Sequence, residues 1–355
     1  MSQLEAISFP TDLQGFSEVI DVRSPDEFAL DHVPGAVNLP VLDNQQRHEV
    51  GLLYKSSPFE ARRLGAALVA QNASIHLSNY LANKPTDYAP LVYCWRGGMR
   101  SNSLAHILKS IGWQAKLIDG GYQHFRRFII RDLEQITLNP NLKFYTLAGL
   151  TGVGKTRLLH ALKTQGAQVL DLEGIANHKG SLLGADDEAP QPAQKLFESS
   201  LWQQIRNFDT SKPVWTEAES NKIGQLHCPP PLWIKLNSSN VIDITLPLAD
   251  RITILKQEYP HFSSDPQKLK DLLDRLRKLR GHKIVDAWQH LIDQNQWDKF
   301  VESILLEHYD LSYRASGHQD SNYQSAEFTL AIEDASNTSY ELAAKKLIQT
   351  IPNAS

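Results

Sequence analysis

Cys94 opens the segment Cys94-Trp95-Arg96-Gly97-Gly98-Met99-Arg100-Ser101. In a loop that runs from an apolar strand into a helix, successive backbone N–H groups and the helix N-terminus can all point at one sulfur. The diglycine permits a tight curl, while Arg96 and Arg100 add positive charge. Both effects favour a thiolate and would equally stabilise a persulfide or perselenide anion. The plain alternative is an inert buried thiol, the common fate of an isolated cysteine, and two arginines beside a diglycine speak against it.

A second constellation lies at Gly149-Leu150-Thr151-Gly152-Val153-Gly154-Lys155-Thr156, which fits G-x-x-x-x-G-K-[ST] between an apolar run and the helical TRLLHALKTQG. Backbone N–H groups freed by Gly149, Gly152 and Gly154 can wrap phosphate oxygens, Lys155 can reach terminal phosphates, and Thr156 can ligate magnesium. The motif reports phosphate binding and does not separate ATP from another diphosphate. Further on, Asp171 and Glu173 in VLDLEG and Glu217 and Glu219 in VWTEAES stand at the ends of apolar runs. Carboxylates at the carboxyl ends of parallel strands face the ligand crevice of α/β proteins, so one of these can hold a cation or orient a nucleophile. His178 and Lys179 in NHKGS are candidates for phosphate or substrate contact, against the ordinary reading of a structural histidine.

Such loops need scaffolds, and 355 residues are enough for two domains with separate cores. EVIDVR, GAVNLP, Leu91-Val92-Tyr93 and the segment 114–119 read as short strands, and Leu104, Ile107, Leu108 and Ile111 share one helical face. KFYTLAGL, AQVLDLE, PVWTEAES and NVIDITLPL repeat the alternation in the second half. Strands alternating with helices predict α/β architecture with mainly parallel central sheets. The expected division is a first domain over 1–122, a connecting helix over 123–140, and a second domain over 141–355 ending in a helical region. One long helix is expected over 265–295.

The two cysteines, Cys94 and Cys228, are far apart and lack metal-ligand spacing, so neither a disulfide framework nor a dedicated metal site is expected. No apolar run approaches the length of a membrane helix, and MSQLEAISFPTDLQ lacks a charged start followed by an apolar stretch. A cytoplasmic monomer is expected. Net charge is -4, which argues against wholesale coating of nucleic acid and directs attention to local basic stretches.

VIDVRSPDEFALDHVPGAVNLP together with YCWRGGMRS resembles a rhodanese domain, and the phosphate loop marks a P-loop NTPase-like domain after it. In rhodanese-like proteins the loop cysteine carries a chalcogen, which gives Cys94 that role and leaves Asp21 and Arg23 as scaffold. DLEGIANHKGSLLG, QPAQKLFE, EAESNKIG and HYDLSY extend the resemblance to the tRNA 2-selenouridine synthase family over roughly residues 15–315. There are two small departures: Lys179 stands where arginine is expected, and Leu311 follows Tyr309-Asp310 where proline is expected. The resemblance implies S-geranylation of a tRNA wobble 2-thiouridine by geranyl diphosphate, then displacement of the geranyl thiolate by selenium from selenophosphate. No tightly bound cofactor is implied, and Mg2+ is compatible with the phosphate loop.

For tRNA, Lys268 to Lys283 is the most basic stretch, with Arg275, Arg277, Lys278 and Arg280 in it, and Arg126, Arg127 and Arg131 come next. Charged helical runs are commonly just solvated faces. Trp95 and Trp288 are candidates for stacking on a splayed base. Two other functions fit parts of the pattern: a sulfurtransferase fused to an ATP-dependent kinase or ATPase acting on a small molecule, and a non-catalytic, tRNA-holding sulfur relay. ATP turnover without tRNA would mark the first, and failure of the purified protein to convert thiouridine would mark the second.

Overall fold

In a computed structural model, residues 4–10, 13–179, 190–315 and 326–351 are described. The chain divides into two compact units, one of residues up to Gln135 together with Pro192–Gln203, the other of Ile136–Gln191 and the chain from Gln204 onward. The helix expected as a connector, Gly121–Leu138, therefore belongs to the first unit for most of its length. Its Phe125, Ile129 and Leu133 are buried, so it serves as a packing element.

The first unit is built on β1 (Ala6–Ile7), β2 (Glu18–Asp21), β3 (Val37–Asn38), β4 (Pro90–Tyr93) and β5 (Lys116–Ile118), in the order β1-β5-β4-β2-β3. Every neighbouring pair is parallel. Pro90, Leu91, Val92 and Tyr93 in β4 are all buried, as an apolar central strand covered on both faces must be. The following helix, Met99–Ile111, buries Leu104 and Leu108, and leaves Ile107 partly covered. Ile111, the last helical residue before the left-handed Gly112, is largely exposed.

The second unit repeats the plan with β6 (Phe144–Ala148), β7 (Gln168–Leu170), β8 (Val214–Glu217), a small antiparallel pair β9 (Lys222–Ile223) and β10 (Leu226–His227), β11 (Asn240–Thr245) and β12 (Phe328–Ala331). Its main sheet runs β12-β11-β6-β8-β7, all parallel. Leu147, Ile242 and Ile244 pack there with Leu158, Leu159 and Leu162 of the helix Lys155–Thr164. The stretch expected as one helix over 265–295 is three: Pro266–Asp274, Arg277–Arg280 and His282–Asp293. Gly281 takes a φ of 86° between the last two, a conformation that ends a helix. The break lets both long segments turn apolar faces to one core of Leu269, Leu273, Val285, Trp288 and Ile292. Among the described residues no helix is long and apolar enough to cross a membrane.

Candidate functional site

Cys94 follows the last residue of β4, the central strand, so its loop leaves the sheet at the carboxyl edge. The sulfur accepts the Gly98 N–H at 3.2 Å and the Ser101 hydroxyl at 3.1 Å. Gly98 is also the N-cap of the 13-residue helix Met99–Ile111, whose positive end faces the sulfur. Two donors and a helix terminus thus converge on one atom. The loop is pinned from its other side, where Tyr122 N–H and Gln123 N–H donate to the carbonyls of Cys94 and Trp95 at 2.9 and 3.0 Å. Cys94 is only 3% exposed, and Trp95 packs against Tyr122 with ring centroids 5.3 Å apart.

The arginines of this loop act differently from each other. Arg100 forms an ion pair with Glu27 at 2.6 Å, so its charge is locally compensated, and this pairing holds the Glu27 carboxyl below its usual range against the opposing effect of burial. Arg96 is exposed and donates to Gln123 at 3.0 Å. Asp21 and Arg23 form a buried pair at 2.6 Å, with Arg23 also donating to the Asp31 carbonyl and lying 4.0 Å from the Tyr122 ring centre. That geometry braces the fold beside the loop.

In the second unit, Gly149 to Thr156 leave the central strand β6 and enter the helix Lys155–Thr164. Lys155 Nζ donates to the Gly149 carbonyl at 3.1 Å, bending the lysine back over its own loop. Thr156 Oγ1 donates to Glu173 at 3.3 Å. Because β8 neighbours β6 in register, Glu217 stands opposite Leu147, and one of its oxygens accepts the Glu173 N–H at 2.7 Å. The other Glu217 oxygen is buried without a partner among the described residues. Burial and then Glu219 push the Glu173 carboxyl up to about 8, with Lys155 and Thr156 opposing. Burial and then Asp171 hold Glu217 far above the usual carboxylate range.

One cleft of about 590 Å³ is lined by Gly149, Thr151, Gly152, Gly154, Lys155, Thr156, Asp171, Glu173, His178, Lys179 and Glu219. Glu217 lies behind this lining. Asp171 doubles as the N-cap of the helix Leu172–Ala176, accepting Gly174 N–H at 2.7 Å. Lys179 reaches the Glu258 carbonyl at 3.0 Å and lies over the Tyr259 ring, while burial lowers the pKa of His178. The GSLLG end of the motif that carries these two residues lies outside the described residues.

Residues 142–338 match the model of the tRNA 2-selenouridine synthase AAA domain, and residues 10–127 match the rhodanese-like domain. The chain belongs to the tRNA 2-selenouridine synthase family. It is 32% identical over 321 residues to a tRNA 2-selenouridine synthase from Hydrogenovibrio crunogenus, covering 83% of this chain and 88% of that one. It is 35% identical over 249 residues to one from Nitrosomonas europaea, where the match takes in 68% of this chain and 63% of its relative. A relative from Marinobacter nauticus is 30% identical over 329 residues, covering 83% and 87%.

Within this member of the synthase family, several basic residues expected at a tRNA surface are committed elsewhere. Arg126 pairs with Glu198 and lies 3.7 Å from Asp31, with its side chain mostly covered. Arg277 pairs with Asp274 and Asp286 at 2.8 and 2.6 Å, and Arg280 donates to His308 Nδ1 and the His308 carbonyl at 3.0 and 2.9 Å. Trp288 is wholly buried and donates to Ser303, which corrects its reading as a stacking platform. Arg127, Arg275 and Lys278 are exposed. Reading the sequence missed Arg251, which donates to the Thr151 carbonyl at 2.9 Å and makes a two-pronged buried pair with Asp310. Its signal was Asp310 in HYDLSY, the one carboxylate in that segment.

Proposed function

We propose that this chain converts 2-thiouridine in tRNA to 2-selenouridine in two steps, with geranyl diphosphate gripped by the phosphate loop and selenium carried by Cys94. As a member of its family it is a tRNA-modifying enzyme. The observation that supports the finer reading is the pairing, in one chain, of a sulfur held by two hydrogen-bond donors with a glycine-walled phosphate cleft.

A thiocarbonyl sulfur is a poor leaving group until it is alkylated. In the first step the thiouridine sulfur attacks C1 of the geranyl group. The C1–O bond breaks, the base releases its N3 proton to water, and inorganic diphosphate departs into the loop N–H groups and Lys155, which offset its charge. In the second step the selenium of selenophosphate, held beside the Cys94 sulfur, bonds to the base carbon; geranyl thiolate leaves with the electrons of the broken C–S bond, and water cleaves the P–Se bond and releases inorganic phosphate. Selenium stays at the selenide level throughout, so no oxidant or reductant is needed. A magnesium ion fits the cleft: Thr156, Glu173 and Glu219 supply the hard oxygen ligands it prefers, and cation binding would relieve the mutual repulsion of the two carboxyls. Bound there, it would add positive charge beside the diphosphate.

The test incubates thiolated tRNA, geranyl diphosphate and selenophosphate with the protein and reads the nucleosides by mass spectrometry. Cys94→Ala is expected to abolish selenouridine while the geranylated nucleoside accumulates. Lys155→Ala is expected to slow geranylation about a hundredfold or more. Selenouridine formation by the cysteine variant, or undiminished geranylation by the lysine variant, would overturn the corresponding assignment.

A further inference from the structure

Beside the phosphate cleft lies a second cavity of about 260 Å³. Thr151, Leu255 and Tyr259 line both spaces, so the cavity adjoins the cleft beside the phosphate loop. Much of its lining is apolar, with Phe262, Leu269, Phe300 and Ile304 supplied by the helices that follow. Five helical segments contribute to the wall: Leu248–Glu258, Pro260–Ser264, Pro266–Asp274, Trp297–Ile304 and Leu305–Tyr309. The Thr151 carbonyl is fixed by Arg251, itself locked to Asp310, so the edge shared by the two cavities is braced.

We propose that this cavity is the seat of the hydrocarbon tail whose diphosphate head lies on the phosphate loop, and that its depth sets the length of prenyl chain accepted. The inference rests on the reading that the loop grips a prenyl diphosphate. Volume supplies the size limit. A dry cavity of about 150 Å³ lined by aliphatic and aromatic side chains takes benzene, or about 25 Å³ per carbon. Ten carbons then need about 250 Å³ and fifteen about 375 Å³. The cavity's volume is close to the first figure and below the second. A purine ring needs polar partners for its edge nitrogens; most of this lining is apolar, with Thr151, Lys256 and Ser263 among its polar members.

The experiment titrates the full chain with inorganic diphosphate, geranyl diphosphate, farnesyl diphosphate and ATP in a calorimeter. Geranyl diphosphate is expected to bind at least about tenfold tighter than inorganic diphosphate, with a negative heat-capacity change, and farnesyl diphosphate to gain nothing over it. Val301→Trp, which fills the cavity, is expected to erase the tenfold ratio, and Trp297→Ala, which enlarges it, to shift preference toward the farnesyl chain. Equal affinities for geranyl and inorganic diphosphate in the unaltered protein would overturn the tail site and leave the phosphate reading standing, with no dependence on whether a variant folds. ATP binding that Val301→Trp weakens more than it weakens geranyl diphosphate would also overturn it, in favour of a base pocket. Inorganic diphosphate binding untouched by Lys155→Ala would instead overturn the reading beneath both.

Discussion

A carboxyl placed behind a phosphate loop meets two opposing demands: charge to attract a cation, and neutrality to lie beside an anion. Glu173 sits at that balance, since burial and Glu219 raise it from an ordinary 4.5 to about 8. The folded protein therefore holds its proton more tightly than the unfolded chain does. The stability this provides is complete below about pH 4.5 and is lost as the pH climbs through about 8. Glu173→Gln keeps the shape and removes the ionisation. In metal-free buffer the variant is expected to unfold at a higher temperature than the unaltered protein at pH 9, by the equivalent of about 4 to 5 kcal/mol, and to show a much smaller advantage at pH 5. Thermal melts at the two values check this. An advantage of the same size at both would show that ionisation at this position has no part in it.

At the scale of elements, both candidate loops leave the middle strand of a parallel sheet, where neighbouring strands bring partners from distant sequence. The cysteine loop depends on the helix starting at Gly121, because a Cβ there would collide with the carbonyl oxygen of Cys94, and the residue also has a φ of 56°. Gly98 in the same loop has open space around its missing Cβ and a negative φ. Gly121→Ala is accordingly expected to cost about 3 kcal/mol, and Gly98→Ala no more than about 0.5 kcal/mol, in urea unfolding followed by tryptophan fluorescence. Equal losses would sink the close-approach argument. The central strands were legible because burial on both faces makes them continuous apolar runs, as in Leu91-Val92-Tyr93 and KFYTLAGL. The two-residue β1 and the β9–β10 pair were not, being too short to show a period. The helix broken at Gly281 reads as one because its apolar spacing persists across the break. The fate of Arg126 was hidden for a different reason: its partner Glu198 lies 72 positions away, on a segment that packs into the first unit.

At the scale of the whole molecule, a net charge of -4 repels a polyanion at long range, so any grip on tRNA must come from local cations with no acid of their own beside them. That criterion separates residues that the sequence presents as one basic run. Arg277 is matched by two aspartates, and Arg280 is spent on His308, whereas Arg275 and Lys278 stand exposed. Each phosphate neutralised contributes about 0.7 to 0.9 to the slope of log affinity against log salt. Replacing both Arg275 and Lys278 with alanine is therefore expected to lower that slope by about 1.5 and to weaken tRNA binding most at low salt. Arg280→Ala should behave in the opposite way: it forfeits hydrogen bonds inside the helical lobe, costing about 1 to 2 kcal/mol of stability, with the salt slope nearly unchanged. Fluorescence anisotropy with labelled tRNA across a salt series, alongside melts of the same proteins, reads both quantities. If the double variant kept the original slope, the face carrying Arg275 and Lys278 would be only a solvated surface, and Arg127 and Arg131, exposed on the helix Gly121–Leu138, would be the next pair to test.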